Sequence, residues 1–425
     1  MDSLVAANTK FCFDLFQEIS QNDPHRNIFF CPLSLSAALG MVRLGARSSS
    51  ADQIDKVLYF NEFSQNENEE PNPCLKSNTH EVVDDSGVEG QERMKGALNL
   101  PDEPSSDGSG VLSCCFGRLL SKLDRIRVDY TLSIANRLYG EQGFPICPEY
   151  LDGVIQFYHT TVESIDFRND TEKSRQQINF WVESQSQGKI KELFSKDMIS
   201  NATVLVLANA VYFKAKWEKS FDCQNTVDAP FFLKEKEKKT VKMMNQKGLF
   251  RIGFIKELQA QILEMRYIKG KLSMFILLPS ASSDNLKGLE ELESKMTYDK
   301  IMTWTSSEHM SEEQVVVSFP QLALEDSYNL NSILQDMGIV DIFDESKADL
   351  SGISSSPNVF LSKIVHKTFL EVDEDGTQAA AASGAVVATR SKTSYETFNA
   401  NRPFLFFIRH NKTQTLLFYG RVCSP

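Results

Sequence analysis

Few residues of this chain stand where their types and spacing could do chemistry of their own. Ser34 and His366 are the candidates for a nucleophile and its base. No GxSxG elbow surrounds the serine, however, and no acid is placed by a recognisable motif to complete a triad. A buried histidine satisfied by polar neighbours accounts for the pair better. The eight cysteines, at 12, 31, 74, 114, 115, 147, 223 and 423, are sparse and irregular. None forms a CxxC, and Cys114 adjoins Cys115, so no metal site is expected and the thiols are expected to be free. No P-loop, GxGxxG or HExxH occurs, which leaves nucleotide and zinc chemistry without support, and no cofactor is expected. An enzyme is the least favoured class.

The remaining reactive-looking feature is a lone base at the end of a run of small residues. Glu371–Arg402 opens with an acidic turn and Gly376, runs through Thr377–Thr389, and meets Arg390; no proline interrupts it before Pro403. Composition alone reads as a mobile linker, and Gln378–Ala382 has high helix propensity. Read with period two, both faces are small enough to slide between neighbouring strands, and no proline would remove a ladder hydrogen bond. The flanks argue against a plain linker. Upstream, Val359–Leu361 and Ile364–Leu370 read as strand; downstream, Phe404–Ile408 and Thr415–Val422 read as a hairpin around the polar turn 409–414. Long structureless segments inside one domain are usually functional.

The elements that must position this segment come from ordinary periodicity. Leu4, Phe11, Leu15 and Ile19 share one side of a helix. A short apolar strand leads through Pro32 into a buried helix that stops near Gly45, and Ala51–Phe60 forms another after the serine cluster. Helices are expected over Val111–Leu123, Pro148–His159, Ser174–Gln187 and Leu330–Gly338, and strands over Leu132–Tyr139, Val204–Lys214 and Leu272–Pro279. Ala229–Gly248 is lysine-rich and reads as an exposed, solvated hairpin. Arg118, Lys122, Arg125 and Arg127 form a basic stripe that reads as a solvated helix face rather than a polyanion site.

Charge is concentrated in one place. The chain carries a net charge of −12, and residues 61–110 hold twelve acids against three bases. This stretch is polar and without a period, so it reads as a disordered insertion. It is either a tolerated surface loop or a partner-binding tether. No apolar run approaches the roughly 18 residues that span a bilayer. Asp2, Lys10 and Asp14 break any signal-peptide core in Met1–Gln17, so a cytosolic product is expected, with unconventional secretion as the route outward. The sequons at Asn169, Asn201 and Asn411 are then expected to go unused.

At these residues the chain resembles the serpin family. The hinge-like run Glu374-Asp375-Gly376-Thr377-Gln378-Ala379-Ala380-Ala381-Ala382 resembles that of inhibitory members, and Asn401–Pro425 resembles the C-terminal signature of intracellular, ovalbumin-type (clade B) members. Further motifs agree at Asn27–Ile54, Asn209–Trp217 and Leu330–Ser354, so the match covers all but the acidic insertion.

The resemblance implies an α+β, single-domain fold over residues 1–425. About nine helices would surround three β-sheets, with an exposed reactive-centre loop within 371–402. It also implies an inhibitor that acts as a suicide substrate, by acyl-enzyme trapping and insertion of the loop into the main sheet. Counting fifteen residues from Gly376 reaches Arg390, so the bond to be cut would be Arg390–Ser391, with Lys392 a second basic site. Arginine there suits trypsin-like serine proteases (the trypsin and plasmin class), whose specificity pocket ends in a carboxylate. Ser34, Asn209 and His366 match the shutter that holds the main sheet, and Trp217 the residue beneath its upper end. A monomer is expected, with no nucleic acid or membrane as partner. The alternative is a non-inhibitory serpin, or a binding protein working through the acidic insertion. Such members typically carry bulky, charged or proline residues in the hinge, unlike Thr377–Ala382.

Overall fold

The computed structural model describes residues 2–23, 25–62, 109–123, 130–234, 237–282, 284–374 and 395–425. Nine α-helices lie among them. They are α1 (Asp2–Asn22), α2 (Pro32–Gly45), α3 (Ser48–Val57), α4 (Ser109–Leu123), α5 (Pro148–Tyr158), α6 (Thr171–Gln185), α7 (Asn285–Ser294), α8 (Tyr298–Trp304) and α9 (Leu330–Met337). The strands of the first half are β1 (Ile28–Phe30), β2 (Tyr130–Glu141), β3 (Val162–Ile165), β4 (Leu205–Ala215), β5 (Val227–Lys234), β6 (Glu237–Ile255) and β7 (Ala260–Arg266). Those of the second are β8 (Leu272–Pro279), β9 (Ser311–Pro320), β10 (Leu322–Asn329), β11 (Leu361–Val372), β12 (Glu396–Asn399), β13 (Phe404–His410) and β14 (Thr415–Val422). Among the described residues no helix is long and apolar enough to cross a membrane.

Five strands make one sheet in the order β10–β11–β4–β2–β3. Its central strand β4 is buried along almost its whole length, which is why its sequence reads as an unbroken apolar run. On one face α6 lays Ile178 and Val182 over Val206, Ala208, Ala210 and Val365 in a small core of its own. On the other face lies the main core, where α2 is buried on nearly all sides. Pro32 starts α2 at a position where its missing N–H costs nothing.

The other strands form one continuous hydrogen-bonded ladder, but it turns a corner. The long β6 pairs with β5 and β9 through its first part and with β9 and β7 through its last. Strands β5, β9 and β12 therefore form a second sheet with β6, and β7, β8, β13, β14 and β1 a third, the two sharing β6. The C-terminal hairpin sits in the middle of the third sheet. β13 lies between β8 and β14, and β14 pairs with β1. Aromatic stacking fixes it there: Phe275 on Phe407 at 4.9 Å between centroids, and Phe29 on Phe418 at 5.3 Å. Gly420 is required by the close approach, since a Cβ would stand 2.6 Å from Phe406 and 2.9 Å from the Ile28 carbonyl.

Several expectations shift. The serine cluster is the first turn of α3, not a break before it. The Ser48 and Ser49 hydroxyls donate to Asp349 and Asp341, while Ser50 Oγ accepts from the Asp349 amide. α6 starts three residues earlier than its apolar period suggests, because the Asp170 side chain caps it by accepting from Lys173 N. The lysine-rich hairpin is solvated on one face only, with Phe231, Val241 and Met243 buried on the other. Cys12, Cys31, Cys147 and Cys423 are free thiols. Cys114 is disulfide-bonded, which corrects the expectation of free thiols throughout. Adjacent helical residues point about 100° apart, so Cys115 is buried while Cys114 is only half-buried. Asn411 spends its amide on Gly270 O and Ser273 Oγ. Of the proposed insertion, residues 63–108 lie outside the described residues, as do Arg125 and Arg127 of the basic stripe.

Candidate functional site

The join between β4 and β11 sets the site. These neighbours run parallel from Leu361 opposite Leu205 to Leu370 opposite Phe213, with a one-residue bulge between Leu361 and Lys363 and unbroken register from Lys363 opposite Val206 onward. Every other contact of either strand in the sheet is antiparallel: β10 with β11, and β2 with β4. The C-terminal end of β11 leads directly into the stretch of small residues. Two polar clusters hold this join, one at its middle and one at its end.

At the middle, register brings three side chains into one row. Asn136 of β2 stands opposite Asn209 of β4, which stands opposite His366 of β11. The start of α2 delivers Ser34 into the same place. Asn209 Nδ2 lies 2.6 Å from Ser34 Oγ and 3.1 Å from its carbonyl oxygen, and also meets Asn136 Oδ1. Ser34 Oγ donates to Asn136 Oδ1 at 3.2 Å, and Asn136 Nδ2 donates to the Ser34 carbonyl at 3.2 Å. His366 closes the row. Its Nε2 accepts from the Cys31 amide at 3.1 Å, which leaves Nδ1–H to donate to Asn209 Oδ1. The ring is fully buried, and that burial pushes its pKa down to about 3. Tyr328 stacks on it from β10, with rings 14° from parallel.

This geometry settles the question of a Ser34–His366 dyad. Both ring nitrogens are committed elsewhere, and the neutral tautomer is fixed by a backbone donor. The cluster ties α2 to three strands at once. These contacts leave the Ser34 hydroxyl without a histidine partner.

At the end of the join, Trp217 is buried and stacked on Tyr267, with centroids 4.4 Å apart. Its Nε1 donates to the Asp373 carbonyl at 3.0 Å. Glu374 is anchored on both sides of its backbone. Its carbonyl accepts from Phe221 N at 2.7 Å. Its carboxylate accepts from Thr226 Oγ1 at 2.6 Å and from Gln321 Nε2 at 2.8 and 2.9 Å. Burial pushes the Glu374 carboxyl up, but Thr226, its own amide and Gln321 outweigh this, and its pKa lies below the usual value. It therefore stays ionised at neutral pH although buried.

Of the residues singled out from sequence, Ser34, Asn209 and His366 come together, and Trp217 joins Glu374 about 26 Å further along, eight strand residues from His366. Gly376, Thr377, Gln378, Ala379, Ala380, Ala381, Ala382, Arg390 and Ser391 lie outside the described residues. Glu371 and Val372 still belong to β11, and Glu396–Asn399 form β12. Sequence reasoning missed Asn136, and Thr226 and Gln321 as holders of Glu374. A signal for Asn136 existed: both β2 and β4 carry an Ala-Asn pair inside an apolar strand, Ala135-Asn136 and Ala208-Asn209. Among the described residues no group of three or more His, Cys, Asp or Glu side chains is placed to hold a metal.

A five-stranded sheet whose β4–β11 contact is parallel, with α2 hydrogen-bonded across its middle, is the arrangement of a particular fold. The chain belongs to the serpin family: residues 6–425 match the family described as Serpin (serine protease inhibitor). Human Serpin B12 is 73% identical over 425 residues, and mouse Serpin B12 is 66% identical over 426, each alignment covering all of both chains. A crystal structure of uncleaved ovalbumin shares the fold with a TM-score of 0.81 and 35% identity, again over the whole of both chains. The family is one of protease inhibitors, not of catalysts.

Proposed function

We propose that this protein is a suicide-substrate inhibitor of trypsin-like serine proteases, cut at Arg390–Ser391. The observation that carries the reading is the parallel β4–β11 seam. A strand that turns back from the end of β11 runs antiparallel to β11, and so to β4 as well. Inserting it replaces one parallel contact by two antiparallel ones, which are the stronger kind per residue. Glu374 to Arg390 spans at most about 55 Å extended, and the paired length of the seam is about 33 Å, so the segment can fill it. The hinge from Gly376 to Ala382 is small and proline-free, as a strand entering a filled sheet must be.

The protease's serine attacks the Arg390 carbonyl, the peptide bond to Ser391 breaks, and the Ser391 amine leaves with the new acyl-enzyme in place. The freed end then inserts, drawing the acylated protease across the inhibitor before water can complete hydrolysis; serpin loop insertion is among the established examples of such a switch. The uncleaved state persists kinetically. In this reading the targets are of the trypsin and plasmin class, and the inhibitor works in the cytosol, as a monomer and without a cofactor.

The test is to mix the purified protein with trypsin, run denaturing gels, and sequence the C-terminal fragment by mass spectrometry. A detergent-stable band at the summed mass with a fragment beginning at Ser391 is the expected result. Arg390→Ala should abolish that band. A fragment beginning elsewhere, or unchanged inhibition by Arg390→Ala, would overturn the assigned bond.

A further inference from the structure

The C-terminal end of α6 is tied to the β2 side of the β4–β11 seam. Ser133 Oγ of β2 donates to the Gln185 carbonyl at 2.6 Å, and the Arg137 guanidinium lies 4.3 Å over the Trp181 ring. Beyond the helix, Gly188 turns the chain with φ +78°, and Lys189 then reaches over the seam to its other side. Its Nζ donates to both carboxylate oxygens of Glu371 on β11, each at 2.8 Å, and sits 5.3 Å from the Phe369 ring centroid. Phe369 stands opposite Tyr212 of β4, and the last paired row of the seam is Leu370 opposite Phe213. Glu371 is the next residue along. The ion pair therefore bridges the two halves of the sheet at the end of the seam from which β11 runs on toward Glu374.

We propose that Lys189 and Glu371 form a clasp at the entry of the seam, and that its opening sets the rate at which the cleaved segment inserts. The assignment rests on the inhibitor reading above and adds two positioning residues to it; neither touches the bond that is cut. A strand entering from the end of β11 meets this end of the seam first. It moves β11 away from β4 by one strand spacing, about 4.8 Å. A 2.8 Å contact to a side chain held from the β2 side breaks in that displacement. The next tie across, Lys367 Nζ to the Glu192 carbonyl at 2.9 Å, lies four strand residues deeper and is met later. The Lys189 and Glu371 side chains are 37% and 31% exposed, so the pair is screened by salt and carries only a modest factor in rate. A modest factor is enough to be felt, because insertion competes with hydrolysis of the acyl-enzyme. The longer the clasp holds, the more inhibitor is released cleaved and unbound.

The experiment measures the limiting rate of trypsin inactivation at saturating inhibitor, at low and high salt. Affinity for trypsin whose nucleophilic serine is replaced by alanine is measured alongside; it reports encounter and shows that each variant is folded. Lys189→Met keeps an apolar stem beside Phe369 and removes the charge. It is expected to raise the limiting rate about threefold and to leave the affinity for the inactive enzyme unchanged. Lys189→Glu places two carboxylates together and should raise the rate further, as should Glu371→Lys, which places two cations together. The double exchange of Lys189→Glu with Glu371→Lys should return it to the wild-type value. High salt should speed wild type and not Lys189→Met. Lys300→Glu on α8, which breaks an exposed pair with Glu257, is the remote control and should change nothing. Limiting rates unchanged in the single variants, or not restored by the double exchange, would refute the clasp while the inhibitor reading stands. If wild type forms no complex with trypsin, the inhibitor reading fails and the clasp falls with it.

Discussion

Acid should unlock the middle of the β4–β11 seam through His366. The ring's ordinary pKa is 6.5, and burial pushes it down to about 3. Between those values the unfolded chain binds a proton that the native ring refuses. The stabilisation is therefore complete above about pH 6.5 and is lost as pH falls toward about 3. Each pH unit in that window is worth about 1.4 kcal/mol, so a drop from about pH 7 to about pH 4.5 removes about 3 kcal/mol. The geometry shows how. A protonated Nε2 would confront the Cys31 amide donor to donor and lose its only backbone contact. The check is His366→Gln, whose side chain keeps a donor and an acceptor but does not titrate. Urea midpoints of uncleaved wild type and variant, taken at matched scan times across this pH range, should diverge in slope. The variant starts lower at neutral pH and closes the gap on acidification. Parallel pH profiles would refute the reasoning, because every other titrating group is common to both proteins.

Other expectations follow from the same contacts. Asn136→Ala removes the acceptor of the Ser34 hydroxyl and should cost about 1–3 kcal/mol, read as a lowered thermal midpoint; an unchanged midpoint would detach Asn136 from the lock. Glu374→Ala releases Thr226 and Gln321 and should speed amide exchange at residues 372–374 by about tenfold, leaving the amides of β4 at Asn209 unchanged. Ala380→Pro should turn inhibitor into substrate, with trypsin cleaving it and no covalent complex accumulating on gels. Undiminished trapping by that variant would sink the insertion step.

Much of this architecture can be read from local pattern. The uninterrupted apolar run of β4, the polar turn between β13 and β14, and Gly338 at the end of α9 are signals carried by neighbouring residues. Ser34, Asn209, His366 and Trp217 were reached through family resemblance, because nothing in their own neighbourhoods says that register will align them. What stayed hidden depends on distant partners. The serines of α3 look like a break until Asp341 and Asp349, some 300 positions on, accept their hydroxyls. Thr226 and Gln321 are unremarkable in sequence, and only the fold brings them to Glu374. Two adjacent cysteines look equivalent in a string, yet a helix buries one and leaves the other half-buried.

The position of the C-terminal hairpin bears on how the chain is made. β1 is synthesised early, but its partner β14 appears nearly four hundred residues later, and β13 fills the place between β8 and β14 only then. At about 5–20 residues per second, translation leaves the edge of β1 open for on the order of 20 to 80 seconds, and that of β8 for roughly 6 to 25 seconds. Open strand edges are templates for wrong partners. The third sheet cannot close segment by segment as the chain emerges, and a polypeptide stopped short of Phe404 cannot complete it at all. Assembly must wait for nearly the whole message to be read, a period in which protection of the nascent chain matters more than its final stability.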